Sequence, residues 1–419
     1  MFDGLDTSGV TFGETKKGDA IDRFPGMSEA EAAEEARREE RDNKAARERE
    51  QHARLLSFYQ QELDRQSDNR IEMAIDEDFY DNDQWSEQDK QTLKERGQMA
   101  LVYNVIASTV NWVTGSEKRA RVDFRILPRR KDSSKPAERK TQLLKYISDV
   151  NRSPFHSSRA FEDAVHVGIG WLECGVQDDD DGEPVYDRYE GWRNVLWDSA
   201  CTEKDLSDAR YLFRHKWVDE DVANALVKGR EAEIRAATVD HDHYDLGGDN
   251  GDDAMDSQEQ SLDTFGGTAE MTAYKRGRLR LIECWFRMPT KVKRLRGGEF
   301  NGDILDEQSA PHMEAVQSGQ SIVVEKVMMR MHYALITTKH LLHIQESPYR
   351  HNLFPLSPIW GYRRGRDGLP YGMIRGMRGI QDDINKRASK ALHILSTNKT
   401  IMDEGAVDDI EDFREEVAR

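Results

Sequence analysis

Cysteine is scarce in this chain. Three occur in 419 residues, Cys174, Cys201 and Cys284, widely spaced and with no CxxC pair. That excludes a disulfide framework and a paired-cysteine zinc module, and a reducing cytoplasm suits it. Long apolar runs are missing too: no stretch reaches the roughly 18 apolar residues of a membrane-spanning helix. The opening MFDGLDTSGVTFGE has neither the basic nor the apolar region of a signal peptide. No GxxxxGK[ST] loop is present to cradle a nucleotide's phosphates. Base is in deficit, with 61 Lys and Arg against 79 Asp and Glu, a net charge of -18. Phosphate contacts need clustered Lys and Arg, so tight nonspecific clamping of nucleic acid is excluded; a surface past which DNA slides is not. With 37% hydrophobic and 33% charged residues, the chain has room for two or three domains but not for one large core.

The chain is organised around Leu369 to Asn398, LPYGMIRGMRGIQDDINKRASKALHILSTN. Met373, Met377, Ile380, Ile384, Ala388, Ala391 and Leu395 recur every three or four positions, which predicts one packing stripe on a helix. Arg375, Arg378, Asp382, Lys386, Ser389 and His393 fall at the same period and form an opposite, mostly basic stripe. Pro370 suits a helix start. Gly372, Gly376 and Gly379 each weaken a lone helix by about 1 kcal/mol, so a closely approaching neighbour is expected.

In order, residues 1–27 read as a disordered tail and Ser28 to about Arg65 as a charged helix that turns amphipathic only at Leu55, Leu56, Phe58 and Tyr59. Helix continues over Ile71 to Tyr80. Ser86 reads as the N-cap of a short helix with Glu87 and Asp89 in its first turn. From Asn104 a helix carries Val105, Ile106, Val110 and Val113 to a stop at Gly115, before an extended RVDFRILP. Helices are expected over Pro136 to Arg152 and Phe161 to Val167, and paired strands over Gly170 to Val176 and Glu183 to Tyr189. Val195 to Asp198 follows that pair, Ser207 to His215 leads into another strand, and strands are expected at Leu279 to Arg287, Met328 to Thr337 and His340 to Ile344, with a short helix within Asp306 to Gln317. The basic run Lys291, Lys293, Arg294 and Arg296 reads as a solvated strand end.

Two clusters invite a metal reading. Asp178 to Asp181 with Gly182 fails the EF-hand template, because aligning Gly182 to its invariant glycine puts Gln177 first and Arg188 last. Asp240, His241, Asp242 and His243 lie in an acidic, glycine-rich stretch, 240–267, that reads as a mobile loop. A metal-dependent hydrolase built on these clusters is the enzyme alternative; the reading preferred is no enzyme, no metal and no cofactor.

The order of these pieces resembles the portal proteins of tailed bacteriophages, in their short-tailed branch. The blocks that carry it are NVIASTVNWVTGSEKRARVDFRILPRRKD, VLWDSACTEKDLSDARY, LRLIECWFR and FPLSPIWGYRRGRDGLPYGMIRGMRGIQDDINKRASKALHILSTNK, together roughly residues 55 to 405. The resemblance implies an α+β fold with a helical and β wing, a helical stem and a small strand-rich clip, assembled as a dodecameric ring around a channel for double-stranded DNA. It implies N-terminal helices and wing over 28–278, a strand and first stem helix over 279–320, clip over 321–352 and second stem helix over 353–398. Residues 399–419 would begin a wing or tunnel region, and the chain is expected to be truncated before crown and barrel. The partners implied are terminase large subunit, a head-completion or tail adaptor protein, capsid and scaffolding proteins, and the DNA itself. The location implied is the capsid vertex of the virion, with assembly in the host cytoplasm. Arg375, Arg378 and Lys386 are the expected DNA-channel residues. A tail adaptor or scaffold is the structural alternative.

Overall fold

The computed structural model describes residues 29–120, 124–128, 134–177, 183–239, 278–306, 309–349 and 351–396. The expected tail, the acidic clusters at 178–181 and 240–243 and the end of the chain from 397 lie outside them. Helix and sheet are mixed in an α+β arrangement, and the chain divides into two compact units. Helix α1, Glu29–Tyr80, contributes its part up to Ser67 to the first unit and the rest to the second.

The first unit takes Arg193–Pro355 besides that helix segment. Its sheet runs β3 (Val195–Trp197), β4 (Tyr211–Asp219), β5 (Arg278–Arg296), β6 (Ile322–Ile336) and β7 (Leu341–Glu346), every neighbour antiparallel. Side chains alternate across a strand, so Ile282 and Cys284 face one side with Tyr211, Phe213 and Ala334. There α1 lays Leu55, Tyr59 and Leu63 on them. Leu279 and Leu281 take the other face, under α6 (Glu220–Leu226) and α7 (Glu231–Val239) through Ala223, Ile234 and Ala237. The helix is exposed through its charged first half and anchored from Leu55, as its sequence predicts.

Strand β5 is longer than its apolar core. Beyond Phe286 it leaves β4 and continues with β6 as a two-stranded ribbon to Arg296↔Ile322. The basic run Lys291, Lys293, Arg294 and Arg296 forms the far end of β5, with Lys291, Lys293 and Arg296 exposed, as its sequence predicts. Strands from the expected wing, stem and clip segments are hydrogen-bonded into one sheet, with α8 (Ala310–Gln317) between β5 and β6.

The second unit holds a sheet of order β2 (Val185–Glu190), β1 (Ile169–Val176), β8 (Leu356–Trp360), with α5 (Ser153–His166) packed against it. Helix α2, Glu87–Glu95, starts at Ser86, whose hydroxyl accepts the Asp89 N–H at 3.1 Å. Helix α3 spans Val105–Arg119 and passes through Gly115 without stopping. Glycine ends a helix chiefly where the chain must turn left-handed, and here the helix continues to Arg119. Helix α4 covers Ser134–Val150. Phe124 to Pro128 forms no strand. A further core joins Ile106 and Val110 of α3, Val165 of α5 and Ile374.

The final helix corrects the sequence reading. Pro370–Tyr371 is a short strand, β10, paired with Tyr362–Arg363, β9; a 3-10 turn follows at Ile374–Gly376, and helix α9 begins only at Arg378 and runs to Ser396. Gly372 lies before the helix, where an added Cβ would come within 1.8 Å of the His166 carbonyl oxygen. A closely approaching backbone was expected, and at Gly372 it is the chain's own α5. Gly376 and Gly379 have open space instead.

Candidate functional site

The buried face of α9 is polar. Gln381, Asn385 and Ser389 stand one turn apart and are 1–2% exposed. Opposite them residues 101–104 lead into α3 at Val105, and alternate backbone N–H groups meet the three side chains. Leu101 N–H donates to Ser389 Oγ at 3.0 Å, Tyr103 N–H to Asn385 Oδ1 at 3.0 Å, and Val105 N–H to Gln381 Oε1 at 3.1 Å. Gln381 Nε2 returns a bond to Tyr103 O at 2.6 Å, and Asn385 Nδ2 donates to Gln84 Oε1 at 2.6 Å. Helix α9 thus pairs with the segment that enters α3 through two side-chain amides and one hydroxyl.

Its start is held by charge. Arg375 reaches Asp76 Oδ2 with Nε at 3.0 Å and Asn69 Oδ1 with Nη1 at 2.9 Å. Arg378 Nε lies 3.2 Å from Asp76 Oδ1, and its Nη2 contacts Glu72. Asp76 is fully buried. Burial pushes its carboxyl up to about 6, against the pull of the two guanidiniums. A second carboxyl of the same unit is half-buried. Asp163 of α5 accepts Tyr189 O–H at 2.7 Å and is pushed up to about 7, mainly by desolvation.

The other face of α9 is open. Ile380, Ile394 and Leu395 are 67%, 60% and 82% exposed. Of the expected packing stripe, Met373 and Met377 pack in the core around Ile106, Val110 and Ile374. Ile384 and Ala388 are half-buried, and Ile380, Ala391 and Leu395 face outward. Of the expected basic residues, Arg375 and Arg378 converge on Asp76 and Lys386 stands apart, exposed, paired with Asp382 at 2.5 Å. Apolar periodicity missed the amide ladder. The signal available was three uncharged polar residues, Gln381, Asn385 and Ser389, at intervals of four.

Nothing in this arrangement positions a nucleophile against a base. Among the described residues, no group of three or more His, Cys, Asp or Glu side chains could hold a metal ion, and no helix is long and apolar enough to cross a membrane. No curated protein matches the chain. The family described as Phage P22-like portal protein matches residues 56–419. That span includes the three- and five-stranded sheets, the ladder on α9 and the arginine anchor, and the chain belongs to the P22-like family of phage portal proteins, structural components of the virion that serve genome packaging.

Proposed function

We infer that copies of this chain assemble into a dodecameric ring at one capsid vertex, around a channel through which double-stranded DNA is packaged and later ejected. Family membership supports the ring. The observation that carries it to particular residues is α9, whose polar face is fully engaged within the chain while Ile380, Ile394 and Leu395 stay bare. Exposed apolar rows of this kind mark interaction surfaces, and in a closed ring each copy meets the next through the same pair of surfaces. Helix α9 is the second stem helix in this reading, α8 belongs to the first stem segment and 321–352 to the clip.

The ring acts as a passive conduit and docking platform. Its partners are terminase large subunit during packaging, a head-completion or tail adaptor protein afterwards, and capsid and scaffolding proteins around it. Hydrolysis of ATP belongs to the terminase. A channel should hold DNA weakly, since strong phosphate contacts act as brakes, and the net charge of -18 suits that. Lys386 is the channel candidate with an exposed ammonium; Arg375 and Arg378 contribute by fixing the helix that carries it. Imaging of the purified particle tests the reading. A closed ring with an open axial channel is expected, and a discrete oligomer without a channel would overturn it in favour of another virion component.

A further inference from the structure

In the first unit, three guanidiniums surround one small depression between α1 and the sheet. Arg54 comes from the helix, Arg210 from the residue before β4 and Arg287 from β5, with Gln51 beside them. Its floor is aromatic: Phe58 stacks on Tyr211 with ring centroids 5.0 Å apart and planes 16° from parallel, and Phe286 lies alongside. Arg54 stands 5.6 Å above the Phe58 ring.

This concentration of base is unusual for so acidic a chain. Several other guanidiniums of the unit find carboxylates, Arg214 meeting Glu283, Arg230 meeting Glu48 and Glu233, and Arg278 meeting Asp219, while Arg294 donates to the Gly302 carbonyl. Arg54 and Arg210 have no carboxylate partner among the described residues, and both are exposed. Arg287 donates from Nη1 to the Ala209 carbonyl at 3.0 Å, stacks on Phe354 at 5.0 Å, and has a buried Nε with no hydrogen-bond partner. The acids nearest Arg287, Asp205 and Asp208, sit on the adjoining loop. Asp208 is already engaged, accepting from Thr202 N and Thr202 Oγ1 at 2.8 Å each and from the Cys201 thiol.

Three like charges around one hollow repel one another, and an anion seated among them relieves that. The hollow has only about 10 Å³ of free volume, far below the few hundred Å³ of a typical small-molecule site. It suits one small anionic group presented from outside. Guanidinium forks match carboxylate geometry, and the aromatic floor favours an apolar side chain next to that carboxylate. Duplex DNA fits poorly, because three basic groups in a hollow do not track a backbone and the chain's net charge opposes a polyanion.

We propose that the Arg54–Arg210–Arg287 depression is a docking point for an acidic peptide of a partner protein, one whose Asp or Glu is flanked by an aromatic or large aliphatic side chain. The probe is a fluorescein-labelled peptide, Gly-Asp-Phe-Glu-Leu-Gly, followed by anisotropy against the full chain, with the Asn and Gln counterpart as control. The acidic peptide is expected to bind at least tenfold more tightly than the neutral one. Arg54→Ala with Arg210→Ala should weaken it about tenfold with thermal melting unchanged, since both side chains are exposed. The double Lys variant, which keeps the charge but loses the fork, should fall between. Equal binding of acidic and neutral peptides, no binding of either, or undiminished binding to the double Ala variant would overturn the proposal. So would a 20-base-pair duplex that displaces the peptide and loses its own binding in the same variant.

Discussion

The Asn385 side-chain oxygen accepts the Tyr103 backbone N–H at 3.0 Å, while the Asn385 amide nitrogen donates to Gln84 at 2.6 Å. One buried side chain thus satisfies groups from two other segments of its unit, and it lies at the centre of the ladder that orients α9. Turning the helix about its axis would strand these groups without water. The outward presentation of Ile380 and Leu395 is fixed from behind, by polar contacts.

Asn385→Leu keeps a side chain of similar size but leaves the Tyr103 N–H and Gln84 Oε1 unsatisfied. A buried polar group left alone costs about 1–3 kcal/mol, so a loss of about 3 kcal/mol is expected. Denaturant unfolding of the variant measures it. A loss within 0.5 kcal/mol, the usual size for a surface substitution, would show that the ladder does not hold the helix.

Asp76→Asn removes the anion that Arg375 and Arg378 share. Breaking a buried ion pair from one side costs about 3–5 kcal/mol, and both arginines are mostly buried here, so about 3 kcal/mol is expected. Amide hydrogen exchange at the start of α9 should rise with the loss. Replacing Arg375 in addition should restore part of the stability, since one unpaired cation is then removed.

The stability contributed by Asp76 and Asp163 should fall as pH rises from about 4 to about 7. Asp163, pushed up to about 7, and Asp76, pushed up to about 6, bind protons more tightly folded than unfolded. Their contribution is complete below the ordinary carboxylate pKa and is lost as pH climbs through the raised values, at most about 1.4 kcal/mol per pH unit for each group. Asp163→Asn keeps an acceptor for the Tyr189 hydroxyl and should flatten the slope. Urea midpoints of both proteins at pH 5 and pH 8 decide the matter; parallel profiles would remove Asp163 as a contributor.

Two glycines should respond oppositely. Gly372→Ala puts a Cβ 1.8 Å from a backbone oxygen that cannot move aside, and a loss of about 3 kcal/mol or outright misfolding is expected. Gly379→Ala meets nothing within 4 Å inside α9, and should gain about 0.5–1 kcal/mol from helix propensity. Melting temperatures should move in opposite directions.

Much of the fold was legible because it rests on local chemistry. The Ser86 cap, the β1–β2 pair and the apolar onset of α1 at Leu55 follow from cap residues and periodicity, and each stands where the sequence places it. The face of α9 that the chain itself covers is not legible in the same way, because apolar periodicity reports where apolar residues lie and not which face is buried within the chain. Gln381, Asn385 and Ser389 are buried by hydrogen bonds to residues nearly 300 positions away, and no local signal names such a partner. The start of α9 was placed too early for a similar reason: Pro370 and Tyr371 fit a helical first turn locally, but pairing with Tyr362 and Arg363 draws them into a strand.

The most direct test of the central claim is native mass spectrometry of the purified protein beside the Ile380→Glu, Leu395→Glu variant. Both side chains are exposed in the single chain, so the variant should fold normally, with the parent's far-ultraviolet circular dichroism. The ring reading predicts a closed particle of about a dozen copies for the parent and monomers or short arcs for the variant. An unaltered ring in the variant would contradict the role given to the outer face of α9, and a parent particle of two to four copies would contradict the ring itself.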